Sequence, residues 1–280
     1  MPITYTPLRY PGGKTKNYEY VKKILQVNCI DGTYVEPFAG GAGLAIKLLL
    51  NNDVNRIIIN DSDYAIYSFW KCLLDYTDEL CEYIQNVPVT ISQWEKERHV
   101  YMNQNSYSIL DIGKATIFLN RTNVSGIMKG GLIGGIKQDG KYKMDARFNR
   151  NTLITKIRNI AKEKDRITLY NKDIFDLIHF DMFNEENLFV NFDPPYVNKG
   201  GKLYMNFFNT EDHELLKEEI SQIPCKWIVT YDYCDFIDSL YKDYRKSTMQ
   251  LTYSTNKTKK GKELVFFSDN LLLPTSFVLE

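Results

Sequence analysis

The chain has 280 residues and a mass of 32.7 kDa, 44% hydrophobic and 25% charged, which excludes a mini-domain, a disordered chain and a coiled coil. Its 35 basic and 35 acidic residues cancel overall but not locally. From Arg121 to Lys172 there are 13 Lys or Arg against four acids, a net +9, and Lys242 to Lys262 carries a net +6, so one basic binding face balanced by acid elsewhere is expected. No apolar run reaches the roughly 18 residues of a membrane span, and Met1-Pro2-Ile3-Thr4 lacks a signal-peptide layout, so a cytoplasmic protein without a membrane partner is expected. Five cysteines without a C-x-x-C pair suggest reduced, mostly buried thiols, and His99, His179 and His213 show no ligand spacing, so no metal is expected.

In chain order, a helix is predicted from about Lys14 to Gln26. A strand, Thr33 to Phe38, then runs into the glycine turn Ala39-Gly40-Gly41-Ala42-Gly43 and a helix over Leu44 to Leu50. Arg56 to Asn60 reads as a buried strand ending at Asp61-Ser62-Asp63, where Ser62 or Asp63 caps the next helix. These parts make a βαβ unit suited to a nucleotide-like ligand, with Asp61 placed to bind ribose hydroxyls. Ile46 stands where a dinucleotide fingerprint needs its third glycine, and Glu36 is foreign to that fingerprint. Another adenosine-bearing cofactor is therefore favoured.

From Asp75 to Asn120 the pattern is helical, and Gly126 to Gly140 holds six glycines between basic residues, which predicts a helical insertion with a loop or hairpin. Strands resume at Arg166 to Tyr170, Asn187 to Phe192 and Lys226 to Tyr231, with two more near Arg245 to Tyr253 and Glu263 to Phe267. The expected fold class is α/β, a doubly wound, mostly parallel sheet: residues 1–75 and 165–280 form the main domain, and 76–164 the inserted helical subdomain.

Asp193-Pro194-Pro195-Tyr196 follows a strand directly, at the carboxyl edge where such sheets bind ligands. Two prolines fix a turn without backbone donors, leaving the Asp193 carboxylate and the Pro194 carbonyl as acceptors beside an aromatic ring. An exocyclic amine on a flat base, with two N–H donors, matches that constellation.

Leu8 to Lys14, Val35-Glu36-Pro37-Phe38-Ala39-Gly40-Gly41, Asn60-Asp61, Phe118-Leu119-Asn120-Arg121, Asp173, Asp193 to Tyr196 and the late Lys262-Glu263-Leu264-Val265-Phe266 together resemble, in order, the motifs of Dam-type DNA adenine methyltransferases. The resemblance implies a Rossmann-like methyltransferase fold, S-adenosylmethionine (S-adenosyl-L-methionine) as cofactor and adenine N6 in double-stranded DNA as acceptor, and it admits a restriction endonuclease as partner. It assigns Tyr10, Lys14, Phe38, Gly40, Asp61, Asp173 and Asp193 to the cofactor, and Asp193, Pro194, Pro195 and Tyr196 to catalysis. It breaks at Val124-Ser125-Gly126, where relatives often carry an aromatic, Asn and Gly; valine cannot stack into a gap between bases, which puts the common GATC target in question. In that segment Arg121, Lys129, Lys137, Lys141, Lys143, Arg147 and Arg150 are expected to touch DNA, Lys129 and Arg147 at base edges. An amino methyltransferase on RNA adenine or cytosine N4, and an inactive DNA-binding module of the same fold, remain the alternatives.

Overall fold

The computed structural model describes residues 4–10, 14–197, 208–254 and 258–275, with 249–254 and 258–261 described as backbone alone. Seven strands form one sheet in the order β3-β2-β1-β4-β5-β7-β6: β1 Thr33–Glu36, β2 Arg56–Asn60, β3 Ile167–Tyr170, β4 Leu188–Phe192, β5 Lys226–Asp232, β6 Arg245–Ser254 and β7 Thr258–Phe267. β1 to β5 are parallel, and β7 turns antiparallel against β5 and β6. Both faces of the sheet are covered, so the strands read as apolar runs whose alternate residues feed two cores. Ile57, Ile59, Phe189, Val265 and Phe267 join one core; Val35, Ile58, Val190, Val229 and Phe266 join the other.

The chain leaves β1 for β2 and β3 on one side and returns with β4 on the other. β1 and β4 are thus adjacent strands whose connections run in opposite directions, the switch point at which a crevice opens beyond the carboxyl ends. Asn60 at the end of β2 fastens that edge: its Nδ2 donates to the carbonyls of Pro37 (2.9 Å) and Lys172 (3.1 Å), and its Oδ1 accepts from Lys172 N (2.9 Å). The carboxyl ends of three strands are tied through one buried side chain.

Helix α1 spans Tyr18–Val27, after a 3-10 turn over Lys14–Asn17. α2, Gly43–Leu50, is nearly all apolar and buries Leu44, Ala45, Ile46, Leu48 and Leu49 in the core. α3 runs from Tyr64 to Asp75 and is capped by Asp63, whose carboxylate accepts from Ala65 N. Four helices then form the insertion: α4 Thr77–Asn86, α5 Ile91–Met102, α6 Ile109–Thr122 and α7 Arg150–Ala161. Between α6 and α7 the glycine-rich stretch forms turns and two 3-10 segments, with one isolated bridge, Asn123 to Leu132, in place of a hairpin. α8 is a short helix, Ile174–Leu177; longer helices at Thr210–Gln222 and Asp235–Leu240 cover the other face.

The core of the insertion is continuous with that of the sheet: Leu80, Trp94, Ile112, Phe118 and Leu153 belong to the same cluster as Leu44 and Phe189. The closest join is α6 on α3. A Cβ at Gly113 would lie 2.4 Å from Cys72 Sγ and 2.8 Å from the Ser68 carbonyl. Cys72, Cys81 and Cys225 are buried and Cys29 is exposed, all as free thiols. Among the described residues no helix is long and apolar enough to cross a membrane.

Gly113→Ala is expected to lower stability by about 1–3 kcal/mol, the cost of overpacking a close helix crossing, against the gain in helix propensity that alanine brings elsewhere. Urea unfolding checks it; an unchanged midpoint would show that α6 stands off α3.

Candidate active site

The glycine turn is shaped by conformation and by contact. Gly40 and Ala42 both have positive φ (47° and 44°), and a Cβ at Gly40 would sit 2.6 Å from the Tyr10 ring. Only glycine lets that ring lie against the main chain. Asp61 holds the turn from the side: Oδ2 accepts from Gly40 N at 2.7 Å and Oδ1 from Asp63 N at 2.9 Å. The helix cap is Asp63, so Asp61 is free of that duty and binds backbone at the cofactor-type loop instead. Trp70 Nε1 donates to the Gly40 carbonyl at 3.0 Å and completes the frame.

Asp193 leaves the end of β4 and faces Lys14 from the N-terminal segment. Lys14 Nζ is 3.2 Å from Asp193 Oδ1, 2.9 Å from Glu263 Oε1 on β7 and 3.4 Å from the Tyr196 hydroxyl. Thr230 on β5 donates to Asp193 Oδ1 at 3.1 Å. Burial raises the Asp193 carboxyl to about 6, held from rising further by the Lys14 ammonium. Lys14 itself is pushed up, its two carboxylate neighbours outweighing burial. Pro194 is buried, Pro195 half-buried, and Tyr196 only 7% exposed, so its ring face is covered in this conformation.

Two more carboxyls line the same edge. Glu36, at the end of β1, accepts from Ala45 N in the first turn of α2 and from the Tyr34 hydroxyl, both at 3.1 Å, while Tyr34 in turn accepts from Asn191 Nδ2 at 2.8 Å. Burial raises Glu36 to about 8 and Asp61 to about 7. Phe38, half-buried, packs edge-on to Phe208, which stacks on Phe175 two residues after Asp173. Asp173 is exposed and caps α8 through Phe175 N at 2.9 Å. The structure therefore brings together Tyr10 with Gly40 and Asp61, Lys14 with Asp193 and Tyr196, and the Phe38 ring with the neighbourhood of Asp173. Pro11, Gly12 and Gly13 lie outside the described residues.

Glu36, Glu263, Phe175 and Phe208 were absent from the sequence-based site. The first had a visible signal, an acid in a strand otherwise buried throughout; Glu263 had a weaker one, an acid preceding the apolar run Leu264 to Phe267. Of the expected DNA-contacting residues, Lys129, Lys137, Lys141, Lys143 and Arg147 are exposed. Arg121 and Arg150, expected to touch DNA, have partners within the chain. The Arg121 guanidinium is largely buried and donates to the Pro7 carbonyl; Arg150 donates to the carbonyls of Ile84 and Val87, fastening α7 to the end of α4. Both sit where the chain needs donors for carbonyls left over at turns and helix ends.

Arg121 belongs to a cluster of cations. Burial, then Arg9 and Arg147, lowers it to about 9; burial, then Arg121, lowers Lys156 to about 8; Arg9 is lowered by burial and by Arg147. None of the four makes an ion pair with an acid among the described residues. Asn120 fixes the N-terminal segment beside them, exchanging hydrogen bonds with the Arg9 N–H and carbonyl, both 2.8 Å. Among the described residues no group of three His, Cys, Asp or Glu is arranged to hold a metal.

The raised carboxyls set a pH dependence. Glu36, Asp61 and Asp193 titrate higher in the fold than in the unfolded chain, so the stability they contribute is complete at acid pH and lost as pH rises through about 6 to 8. His213, lowered to about 4, acts oppositely and penalises the fold below its ordinary value. The ligand-free chain is expected to melt higher at pH 6 than at pH 8.5, with Glu36→Gln flattening that decline. Thermal melts across pH test this, and a melting temperature rising from pH 6 to 8.5 would refute it.

The sequence pattern of the D12 class N6 adenine-specific DNA methyltransferases matches residues 10–256. The Type II methyltransferase M.CviBI of Paramecium bursaria Chlorella virus NC1A is 26% identical over 261 residues, 88% of this chain and 90% of the relative. M.MjaIII of Methanocaldococcus jannaschii is 24% identical over 260 residues, 85% and 88% of the two chains. A solved structure, a putative RNA methyltransferase from Pyrococcus horikoshii, superposes with a TM-score of 0.41 at 12% identity, covering 96% of this chain and 90% of that one, too distant to add to the assignment. A family pattern spanning the glycine turn, Lys14 and the Asp193 tetrapeptide settles the matter: the chain belongs to the D12 class N6 adenine-specific DNA methyltransferase family.

Proposed function

We propose that the carboxyl-edge crevice holds S-adenosylmethionine between Tyr10, the Gly40 turn, Asp61 and the Phe38 to Phe175 aromatic group, and presents adenine N6 to Asp193. The observation that carries this reading is the number of buried carboxyls: Glu36, Asp61, Asp193 and Glu263 lie along one edge, and among the described residues the cation paired with Asp193 and Glu263 is Lys14. A cationic ligand suits such an edge. When bound, the cofactor supplies a methyl group on positively charged sulfur. Asp61, with one lone pair of each oxygen committed to backbone, keeps the others for ribose hydroxyls.

Adenine N6 is a weak nucleophile because its lone pair is delocalised into the ring. Acceptance of its N–H bonds by Asp193 and the Pro194 carbonyl localises that pair and aims it. As the nitrogen gains a methyl it becomes cationic, and Asp193, titrating at about 6, stabilises the charge and is matched to take the released proton. A base inside a duplex must be extruded to reach this carboxylate, and its stacking on Tyr196 requires the covering of that ring to be withdrawn.

Residues 76–164 supply the DNA-recognition subdomain. The Arg9, Arg121, Arg147 and Lys156 cluster, destabilised by mutual repulsion until an anion arrives, fits a backbone phosphate close to the extruded base. Lys137, Lys141 and Lys143 track further phosphates, and Lys129 and Arg147 reach base edges; Arg150 is left to the fold. A restriction endonuclease as partner accords with the Type II names of the relatives.

Incubation with plasmid DNA and labelled cofactor, followed by base analysis, tests the reading: N6-methyladenine is expected, and N4-methylcytosine alone, or transfer to RNA alone, would overturn it. Asp193→Ala is expected to lower the single-turnover rate at least about 100-fold, well beyond its effect on cofactor binding, whereas Asp61→Ala is expected to act mainly on cofactor binding, weakening it by about 1–3 kcal/mol. Calorimetry and single-turnover assays separate the two, and matching effects of both variants would refute the division of roles. In the recognition segment, neutralising Lys137, Lys141 and Lys143 is expected to weaken binding to all duplexes and reduce the salt slope by about 0.9 per lost contact. Lys129→Ala is expected to cost about 1–3 kcal/mol at the cognate site only. Binding to cognate and scrambled duplexes at several salt concentrations decides; uniform loss for Lys129→Ala would remove it from base recognition.

A further inference from the structure

We infer that Glu263 is a positioning residue for methyl transfer, anchoring Lys14 so that Asp193 is held in place yet keeps a negative charge for the target amine. The inference rests on the proposed role of Asp193 as acceptor of that amine. Glu263 lies on an interior strand with its side chain fully buried, on the same face as Val265 and Phe267. A carboxylate there is strongly disfavoured unless paired, and an apolar residue would serve packing better. Its partner is an ammonium with three donors, and the three acceptors around Lys14 Nζ are Glu263 Oε1 at 2.9 Å, Asp193 Oδ1 at 3.2 Å and the Tyr196 hydroxyl at 3.4 Å. Two belong to the tetrapeptide that meets the base, and the third, from outside it, is the nearest.

Charge counting gives the consequence. Glu263, Lys14 and Asp193 together carry a net −1. Without Glu263, Lys14 and Asp193 would close into a neutral pair, and the carboxylate would become a poorer acceptor for the amine. With Glu263 in place the ammonium is drawn back toward β7, fixing Asp193 without neutralising it. Other groups facing Asp193 are Thr230 and Tyr231 from β5, Glu36 and Tyr34 from β1, and Tyr196 beside it. Among the charges, Glu263 and Glu36 disfavour ionisation of Asp193 and Lys14 favours it. Removal of the Glu263 charge therefore shifts titration of Asp193 downward.

The test uses the full chain with plasmid DNA and S-adenosylmethionine, comparing wild type, Glu263→Gln and Glu263→Asp by single-turnover rate against pH, cofactor affinity by calorimetry, and thermal melting. Glu263→Gln is expected to lose about 10–100-fold in rate, with the acid limb of its pH profile displaced to lower pH and a loss of cofactor affinity smaller than the loss of rate. Glu263→Asp, charged but one methylene shorter, is expected to fall between the two in both rate and limb position. An acid limb that stays in place while the rate falls in step with the melting temperature would make Glu263 a residue of the fold alone and overturn the inference. Should Glu263→Gln fail to fold, the limb in Glu263→Asp decides by the same criterion. Wild-type protein that methylates no adenine would instead sink the reading of Asp193 itself, a result visible before either variant is made.

Discussion

The burial of several carboxyls around a single ammonium is the constraint from which the rest of the site follows. Lys14 reaches Asp193 and Glu263 from an N-terminal segment, 182 positions before Tyr196 and 249 before Glu263. One side chain thus ties the start of the chain, the tetrapeptide after β4 and the reversed strand β7 into one edge. The parallel sheet makes this possible because its switch point brings the ends of β1 and β4 side by side. Burial disfavours the charged form of these carboxyls, and Glu36 and Asp61 are raised chiefly for that reason. On the proposed reading, buried carboxylates here would favour a charged sulfonium over the neutral sulfide left after transfer.

The second organising contact joins chemistry to recognition. Residues Pro7 to Tyr10 run between the insertion and the glycine turn, with Arg121 and Asn120 gripping the Pro7 and Arg9 backbone and the Tyr10 ring lying on Gly40. A displacement of α6 is therefore felt at the glycine turn within a few residues. The insertion shares its core with the sheet, so it moves against the catalytic edge only by repacking, which favours discrete positions over gradual drift.

Much of this was legible in the sequence. Strand β2 was predicted with its observed bounds, and α2 within one residue, because their apolar runs are flanked by sharp polar or glycine breaks. The insertion was legible as helix, but Gly126 to Gly140 gave no register: six glycines leave the backbone too free for a periodic pattern to choose between hairpin and turns. Asp193 and Lys14 were found as motif members, whereas their direct pairing was not, since nothing local ties residues so far apart. The carbonyl partners of Arg121 and Arg150 were not legible for a physical reason: an arginine that caps carbonyls reads in sequence the same as one that meets phosphate. Glu263 was passed over because an acid before an apolar strand usually marks the strand's solvated end.

Val124 brings the two themes together. It is 48% exposed beside Asn123, which accepts from Trp94 Nε1 at 2.7 Å and donates to the carbonyls of Ile127 and Met128, both 3.0 Å, setting the path toward Lys129. An aromatic at this position would replace the extruded base by stacking, and valine lacks the surface to do so. On the proposed reading, the gap left in the duplex would be held open by contacts to its backbone. The Arg9, Arg121, Arg147 and Lys156 cluster is the group of described cations best suited to that task, because its members repel one another and gain most from an anion. A phosphate held there would be held by the same segment that carries Tyr10 to the cofactor turn, so the position of the distorted backbone and that of the methyl donor are set by one short stretch of chain.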